Sequence, residues 1–444
     1  MTSIEYGGPT GHGGPFMSTI GYVPFEETAR SREAEWLRDF LGVEVQVVNA
    51  VPTWNNSPPG RLPPMDLLVK ALRPLLPLPA VVLEGSGGFL WAAALRANGY
   101  TGAVTLMPGL NPRGWRDVLA TAVYQRFSDR RDRVFVGSRP SAALFSALGL
   151  EADVGEPYGV DDRLFRLRPE AERVRTELDL PDGRLLLYAG RVQHDKDLYS
   201  FLQVGLKARL LFPDLGIVVA SHMVDDEYLT PVLKNLDDTT GVHFAIDPSP
   251  RQLADLYNIA DVFLTASTSR FETFGRAPAE ALICGCPSVA PRYDGFVEIL
   301  AQPGGSIVDP KIDVVDGTPR ADEFGLLRAV YDVLTAAHRP TREDIADVAR
   351  RRFGRSQTMG LLRNLVDGSA RRPGSVVPPA RLDLPASWRE RLSGLAARRP
   401  DDALAWCWSQ TEHDRLAEHD GEFEIQVRRA LCVPPLRQEL VPCR

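Results

Sequence analysis

The stretch Asp261–Leu300 reads DVFLTASTSRFETFGRAPAEALICGCPSVAPRYDGFVEIL. Its apolar run Val262–Leu264 is typical of a short strand buried on both faces of a parallel sheet. A loop of small polar residues follows, and the next residues predict a helix from about Arg276 to Cys284, which Gly285 ends. A second strand is expected at 286–290. Strand, loop, helix and strand in this order predict one βαβ unit of a parallel α/β domain.

Two carboxylates flank the start of the predicted helix. Glu272 lies just before it and Glu280 inside it, with seven residues between them. The free N–H groups of a helix N-terminus favour an anion or sugar hydroxyls at this place. Two glutamates at a given spacing are common, so a βαβ unit with two exposed carboxylates is the structural alternative. Gly275, Pro287 and the run G-F-V-E that begins at Gly295 make the complete pattern much more specific.

The complete pattern, E-x7-E with F-G after the first glutamate and an E-A-L-x-x-G-x-P tail, resembles the retaining GT-B glycosyltransferases of glycosyltransferase family 4 (glycosyltransferases group 1). This resemblance implies a GT-B fold, in which two Rossmann-like doubly wound domains face each other across a cleft. It also implies that Glu272 contacts the donor sugar and that Glu280 binds the ribose hydroxyls of the nucleotide. Thr273, Phe274 and Gly275 are expected beside them in the donor site.

A second motif follows the predicted strand at 185–188. Gly190, Arg191 and Lys196 fall in a sequence that resembles the G-R-x4-K element of the same family. The resemblance implies that Arg191 and Lys196 hold the donor diphosphate. Two cations suit this role because they stabilise the negative charge that develops on the departing nucleotide, with arginine as a fork of donors and lysine as a point charge. The structural alternative is a solvated turn of mixed charge.

Short apolar strands alternate with helical segments between residues 43 and 136, which predicts a doubly wound first domain. Ligands of such domains bind beyond the carboxyl ends of the strands, where Glu84 and Ser86 follow a predicted strand at 80–83. Many family members have a histidine near this position, and this chain has Glu84 instead. Glu84 either orients an acceptor hydroxyl or acts as its base, or it is a helix-capping carboxylate.

A glycine-rich segment, GGPTGHGGP, spans Gly7–Pro15 and contains Gly13 and Gly14. GT-B enzymes often carry such a loop near the donor phosphates and the acceptor, where glycine permits close approach of the backbone. The first strand could precede this segment, at 3–6, or follow it, at 18–23. In the second case the glycines belong to a flexible terminus.

Four regions are predicted along the chain. The sequence P-Y-G-V-D from Pro157 resembles the family's hinge between domains, which places an acceptor-side domain at 1–165. A nucleotide-sugar-binding domain is expected at 166–367, with its last helices crossing back onto the first domain. Prolines and glycines predict a linker at 368–385. Residues 386–444 lie outside the resemblance and form either a small helical appendage or a segment packed onto the core.

Composition narrows the functional classes. The chain has 444 residues, of which 44% are hydrophobic and 25% charged, and its net charge is −7. These values are ordinary for a soluble globular protein and make nucleic acid an unexpected partner. The C-x-C pair Cys284 and Cys286 has no second pair, so we expect no metal site. We expect five reduced cysteines, no signal peptide, no membrane span and a cytoplasmic location, with peripheral membrane contact left open.

The sequence predicts transfer of a sugar from a nucleotide-sugar, with UDP favoured on base rates, to a hydroxyl or amine of a small molecule or glycan. The resemblance implies retention of anomeric configuration, with Glu272, Arg191 and Lys196 as the catalytic residues. No metal and no cofactor other than the donor substrate are expected. The alternatives are an epimerase or phosphorylase with a GT-B fold, and a non-catalytic subunit that binds a sugar nucleotide.

Overall fold

A computed structural model of the protein describes residues 19–24, 32–50, 65–85, 87–236, 238–338, 340–362, 377–409 and 416–432. Its first domain contains a parallel six-stranded sheet in the order β2-β1-β3-β4-β5-β6. The strands are β1 Thr19–Val23, β2 Glu44–Val47, β3 Ala80–Glu84, β4 Ala103–Met107, β5 Arg133–Val136 and β6 Asp153–Val154. The helices are α1 Arg32–Leu41, α2 Met65–Leu72, α3 Gly88–Ala97, α4 Trp115–Gln125 and α5 Arg139–Ala147.

The order of the first sheet reverses between β1 and β3. The chain passes from β1 to β2 on one side and then returns to place β3 on the other side. Every residue of β3 is buried, as expected for a central strand covered by helices on both faces. The carboxyl ends of these strands, at Val23 and Glu84, therefore open a crevice of the kind that binds ligands. Of the two alternatives for the first strand, the one after the glycine-rich segment is formed.

The second domain contains another parallel six-stranded sheet, in the order β12-β11-β10-β7-β8-β9, which reverses between β7 and β10. Its strands are β7 Leu185–Ala189, β8 Gly216–Ser221, β9 Val242–Ile246, β10 Val262–Leu264, β11 Ser288–Pro291 and β12 Gly305–Val308. Its helices are α6 Arg173–Glu177, α7 Leu198–Leu211, α8 Asp226–Lys234, α9 Pro250–Ile259, α10 Arg276–Ile283, α11 Phe296–Leu300 and α12 Glu323–Thr335. A short antiparallel hairpin pairs β13 Lys311–Ile312 with β14 Pro319–Arg320.

The predicted βαβ unit is confirmed as β10, α10 and β11, with boundaries within two residues of those expected. The predicted pair of doubly wound domains is also confirmed. The sequence analysis did not predict α4, α5 and α8. Helix α4 lacks a local start signal, because its N-cap is Gly114, which has no side chain to accept a hydrogen bond from the first turn.

After the second domain the chain returns to the first. Helix α13, Arg342–Phe353, is followed by the short helix α14, Arg355–Thr358. The N–H of Val160 donates to the carbonyl of Phe353 at 2.8 Å, and the N–H of Arg355 donates to the carbonyl of Val160 at 2.8 Å. Beyond them, Met359 and Leu362 pack with Ile20 and Tyr22 in the core of the first domain.

The described residues of 377–409 and 416–432 hold three further helices, α15 Ala386–Ala396, α16 Pro400–Ser409 and α17 Asp420–Ala430. Trp388 has no exposed surface and lies between Trp115 of the first domain and Phe423 of α17, with ring centroids 5.6 and 5.1 Å away. Its indole N–H donates to the carbonyl of Leu416 at 2.9 Å. The C-terminal helices therefore share one core with the first domain.

In the part of the chain that the structure describes, no helix combines the length and the apolar character that crossing a membrane requires. Cys284 and Cys286 are buried and Cys432 is half-buried, and all three are free thiols. Burial raises the pKa of the thiols of Cys284 and Cys286, which makes these groups unreactive packing residues.

We expect Trp388→Ala to lower the free energy of unfolding by about 3–5 kcal/mol, because it removes a fully buried indole and leaves a cavity. Urea unfolding followed by circular dichroism measures this. Phe324→Ala is the matched control, since that side chain is 74% exposed and should change stability by at most about 0.5 kcal/mol. Equal unfolding midpoints for Trp388→Ala and the wild type would contradict the shared core.

Candidate active site

A cavity of about 530 Å³ lies at the carboxyl ends of β7 and β10, where the order of the second sheet reverses. Ligands of open α/β sheets bind at such a reversal. The structure brings all eight predicted donor-site residues into the lining of this cavity: Gly190, Arg191, Lys196, Glu272, Thr273, Phe274, Gly275 and Glu280.

Lys196 and Glu272 form an ion pair inside this cavity, although they are 76 residues apart in the sequence. The Lys196 ammonium donates a hydrogen bond to Glu272 Oε1, and the two side chains are only 18% and 11% exposed. Lys196 follows β7 and Glu272 follows β10, so the pair exists because these strands are neighbours. The cavity thus contains, in direct contact, an ammonium that can bind an anionic group and a carboxylate that can accept hydrogen bonds from hydroxyls.

Arg191 lies on the same loop as Lys196. Its guanidinium pairs with Asp195 at 2.9 Å and donates to Gln193 at 2.6 Å. The Tyr188 hydroxyl donates to the Arg191 carbonyl at 2.6 Å and fixes the backbone there. Burial, and to a lesser degree the Glu272 carboxylate, raise the pKa of Tyr188 well above its usual value, so this hydroxyl keeps its proton and remains a donor.

Helix α10 starts at the cavity wall. Its N-cap, Gly275, has φ +89°, a left-handed conformation that favours glycine, and a Cβ there would lie 3.1 Å from the Phe296 ring. No side chain caps this end, and Arg276 and Ala277 of the first turn line the cavity. The positive end of the helix dipole is therefore directed to the same space as Lys196.

Glu280 lies one turn further along α10. The Tyr257 hydroxyl donates to Glu280 Oε2 at 3.2 Å. Burial raises the pKa of Tyr257 well above its usual value, and the Glu280 carboxylate adds to the effect. The protonated phenol orients this carboxylate in the lining of the cavity. Glu272 and Glu280 thus have different hydrogen-bond partners, Lys196 and Tyr257.

A second cavity of about 560 Å³ adjoins the first at the carboxyl ends of β1 and β3. Glu84 lines it and is buried. Gly87 occupies the N-cap position of α3 and has no side chain to accept a hydrogen bond from the first turn. Gly13, Gly14 and Ser86 lie outside the described residues.

Several lining residues belong to both cavities and join them into one cleft: Gly109, Glu156, His222, Thr273 and Arg276. The sequence analysis did not select Glu156, His222 or Arg276. Arg276 directly follows the F-G pair of the motif, which is a local signal. His222 follows the carboxyl end of β8. It reaches the cleft because β8 is a neighbour of β7 in the sheet, which the local sequence does not reveal. Glu156 lies 4.0 Å from the Arg276 guanidinium, and burial raises the pKa of its carboxyl group.

Asp294, also not selected from the sequence, connects the two halves of the cleft. It belongs to the second domain, is fully buried, and accepts hydrogen bonds from first-domain residues: Asn111 at 2.7 Å, Ser141 at 3.0 Å, and Ser138. Burial raises the pKa of Asp294 to about 8, although these hydrogen bonds lower it. The available signal was its position in the sequence, directly before the G-F-V-E run that completes the motif.

The family model described as "Glycosyl transferases group 1" matches residues 171–317. The GDP-mannose-dependent alpha-(1-6)-phosphatidylinositol dimannoside mannosyltransferase of Mycobacterium tuberculosis is 30% identical over 178 residues, which cover 38% of this chain and 44% of that protein. The D-inositol 3-phosphate glycosyltransferase of Thermomonospora curvata is 32% identical over 190 residues, covering 39% and 42%. The chain thus spans less than half of the length of these curated relatives.

Solved structures match over a larger part of the chain. The crystal structure of Anabaena Alr3699/HepE in complex with UDP and glucose has a TM-score of 0.62 at 14% identity and covers 79% of this chain and 100% of that one. An Escherichia coli trehalose-6-phosphate structure bound with UDP-2-fluoro glucose has a TM-score of 0.59 at 12% identity, covering 80% and 100%. At these identities the likeness shows the fold, which is GT-B.

Asp294→Asn should remove a pH dependence of stability. The carboxyl group has a pKa of about 8 in the folded protein and near 3.8 otherwise, so the folded state holds a proton that the unfolded chain releases. The stabilisation that this bound proton gives to the folded state is complete below pH 3.8 and is lost as the pH rises through 8. We therefore expect the melting temperature of the wild type to fall more between pH 6 and 9 than that of Asp294→Asn. Parallel curves would contradict this.

Proposed function

We propose that this chain, whose residues 171–317 match the family model of glycosyl transferases group 1, moves a sugar from a nucleoside-diphosphate sugar to an acceptor hydroxyl or amine. The Lys196–Glu272 pair at the reversal of the second sheet carries the proposal. It offers a cation for the diphosphate and a carboxylate for the sugar hydroxyls in one largely buried place.

The remaining donor contacts follow from the lining of the same cavity. Arg191, at its mouth, is the second cation for the diphosphate, and the start of α10 adds peptide N–H groups. Glu280, oriented by Tyr257, is placed to accept hydrogen bonds from the ribose hydroxyls. We propose uridine and guanosine diphosphate sugars as donors to test, because the names of relatives carry GDP-mannose and structural neighbours are complexes with UDP and UDP-glucose.

The proposed chemical step retains the anomeric configuration. The bond between the sugar carbon and the diphosphate oxygen breaks, the acceptor oxygen or nitrogen bonds to that carbon on the same face, and the acceptor proton passes to the departing phosphate oxygen. Arg191 and Lys196 stabilise the charge on the leaving diphosphate. We propose that this step needs neither a metal ion nor a further cofactor, because the two cationic side chains stabilise the negative charge of the diphosphate.

We propose the second cavity as the acceptor site, since it opens directly into the donor cavity. Its described lining holds three carboxylates, Glu33, Glu84 and Glu156, and one guanidinium, Arg276. Carboxylates accept hydrogen bonds from hydroxyl and ammonium groups, and they repel a phosphate. Two unit charges 4 Å apart near a protein surface interact with about 4 kcal/mol. The lining therefore favours a hydroxylated or amine-bearing acceptor over a phosphorylated one.

Lys196→Ala should weaken the binding of UDP or GDP about 10- to 100-fold, because it removes a charge-assisted contact to the diphosphate. Isothermal titration calorimetry measures this. Lys207→Ala is the matched control, since that ammonium pairs with Glu323 on the surface, at 2.8 Å. Glu272→Gln should retain nucleotide binding and lose turnover instead. Unchanged affinity in Lys196→Ala would remove the proposed diphosphate contact.

A matched set of acceptors tests the second cavity. With UDP-glucose or GDP-mannose as donor, mass spectrometry should detect more product from glucose or glucosamine than from glucose 6-phosphate. Glu84→Gln should reduce the preference for glucosamine over glucose 6-phosphate and leave nucleotide affinity unchanged, because Glu84 lines only the second cavity. Preferred transfer to the phosphorylated sugar would contradict the assignment.

A further inference from the structure

Helix α17 contacts both domains through its polar side chains, and its N-terminal end is attached to the first. Asp420 Oδ1 accepts a hydrogen bond from the N–H of Trp115, the first residue of α4, at 2.8 Å. Gly114 permits this approach, since a Cβ there would lie 2.2 Å from the Asp420 carboxyl. Asp420 thus provides the capping group that α4 lacks in its own sequence.

The other end of α17 is attached to a loop and to strand β14 of the second domain. The Arg428 guanidinium donates to the carbonyls of Thr268 and Pro319, at 3.3 and 3.0 Å. One turn earlier, Glu424 pairs with Arg270 at 3.6 Å. Thr268 and Arg270 belong to the loop 265–275, which carries Glu272.

The first domain holds the same loop from the opposite direction. The Asn111 amide donates to the Arg270 carbonyl at 3.0 Å, and the Thr273 hydroxyl donates to the Gly109 carbonyl at 3.2 Å. A Cβ at Gly137 would lie 2.6 Å from the Thr273 carbonyl, so the two backbones are in direct contact. The loop is therefore fixed between the first domain and α17.

The geometry points to Arg428 as a positioning residue for sugar transfer: with Glu424 and Asp420 it anchors the loop that presents Glu272, so that α17 sets the place of this carboxylate in the cleft. The inference rests on the proposed function and goes beyond it, because α17 lies outside the family match at 171–317. The structural neighbour Alr3699/HepE is covered completely while leaving about a fifth of this chain unmatched.

The chemical reason is the arginine fork. The Thr268 carbonyl belongs to the loop 265–275 and the Pro319 carbonyl to β14, and one planar guanidinium with its rigid fork of donors reaches both at once, whereas a lysine ammonium is a single point charge. A displacement of about 1 Å of a group that contacts the substrate can cost about 100-fold in rate. Loss of the fork should therefore affect turnover more than nucleotide binding, which depends on Lys196 and Arg191.

The test compares full-length Arg428→Ala, Arg428→Lys and the control Arg389→Ala, whose guanidinium contacts only Asp383 and Leu384 among the described residues. Donor turnover is measured with UDP-glucose and GDP-mannose, and affinity with UDP and GDP. We expect Arg428→Ala to lower kcat about 10- to 100-fold and to change nucleotide affinity by at most about twofold. Arg428→Lys should be intermediate and Arg389→Ala like the wild type. Full kcat in Arg428→Ala, or an equal loss of affinity and kcat, would overturn the proposal.

Hydrogen exchange provides a readout that does not depend on activity. Peptides covering 265–275 should exchange faster in Arg428→Ala than in Arg389→Ala, while peptides covering β8 should be unchanged in both. Unchanged exchange of the loop overturns the role of Arg428 whether or not the protein transfers sugar. A wild type that binds neither nucleotide and transfers nothing contradicts the proposed function instead, so the two failures are distinguishable.

Discussion

The cleft depends on one buried contact between the domains. The Asp294 carboxyl group, from the loop after β11, accepts hydrogen bonds from Asn111, Ser138 and Ser141 of the first domain. Burying a carboxyl group is costly unless its oxygens are satisfied, and here the donors come from across the interface. Either domain alone would leave this group without those donors. The arrangement that satisfies Asp294 is also the one that joins the two cavities.

Close packing of backbone extends this constraint to the loop 265–275, which carries Glu272. A Cβ at Gly137 would lie 2.6 Å from the Thr273 carbonyl, and one at Gly295 would lie 2.4 Å from the Phe274 carbonyl. The backbone at Thr273 and Phe274, immediately after Glu272, is thus in van der Waals contact with the backbone at Gly137 and at Gly295. Glycine at both positions permits the meeting, and the loop between β10 and α10 has little freedom to move independently of the first domain.

Motifs that are contiguous in the sequence were predictable, and contacts assembled by topology were not. Arg191, Lys196 and Glu272 each follow a strand that local pattern identifies, and Glu280 lies within the helix that comes next. Their common location follows once β7 and β10 are neighbours. The role of Asp294 could not be predicted, because its hydrogen-bond partners lie in the other domain. Helix α5 did carry local signals, since Ser138 caps it and proline occupies its first turn, whereas the group that caps α4 is Asp420, about 300 residues further along the chain.

The family match covers one of the two cavities of the cleft much more fully than the other. The family match at 171–317 covers the strands and helices that build the first cavity, the proposed donor site. Most of the lining of the second cavity, the proposed acceptor site, comes from residues before this match, including Tyr22, Glu33, Trp36 and Glu84. Similarity to an enzyme named for inositol 3-phosphate therefore concerns the lining of the first cavity and says little about the second. The proposal that a phosphorylated acceptor is disfavoured rests on the carboxylates that line the second cavity and not on the names of the relatives.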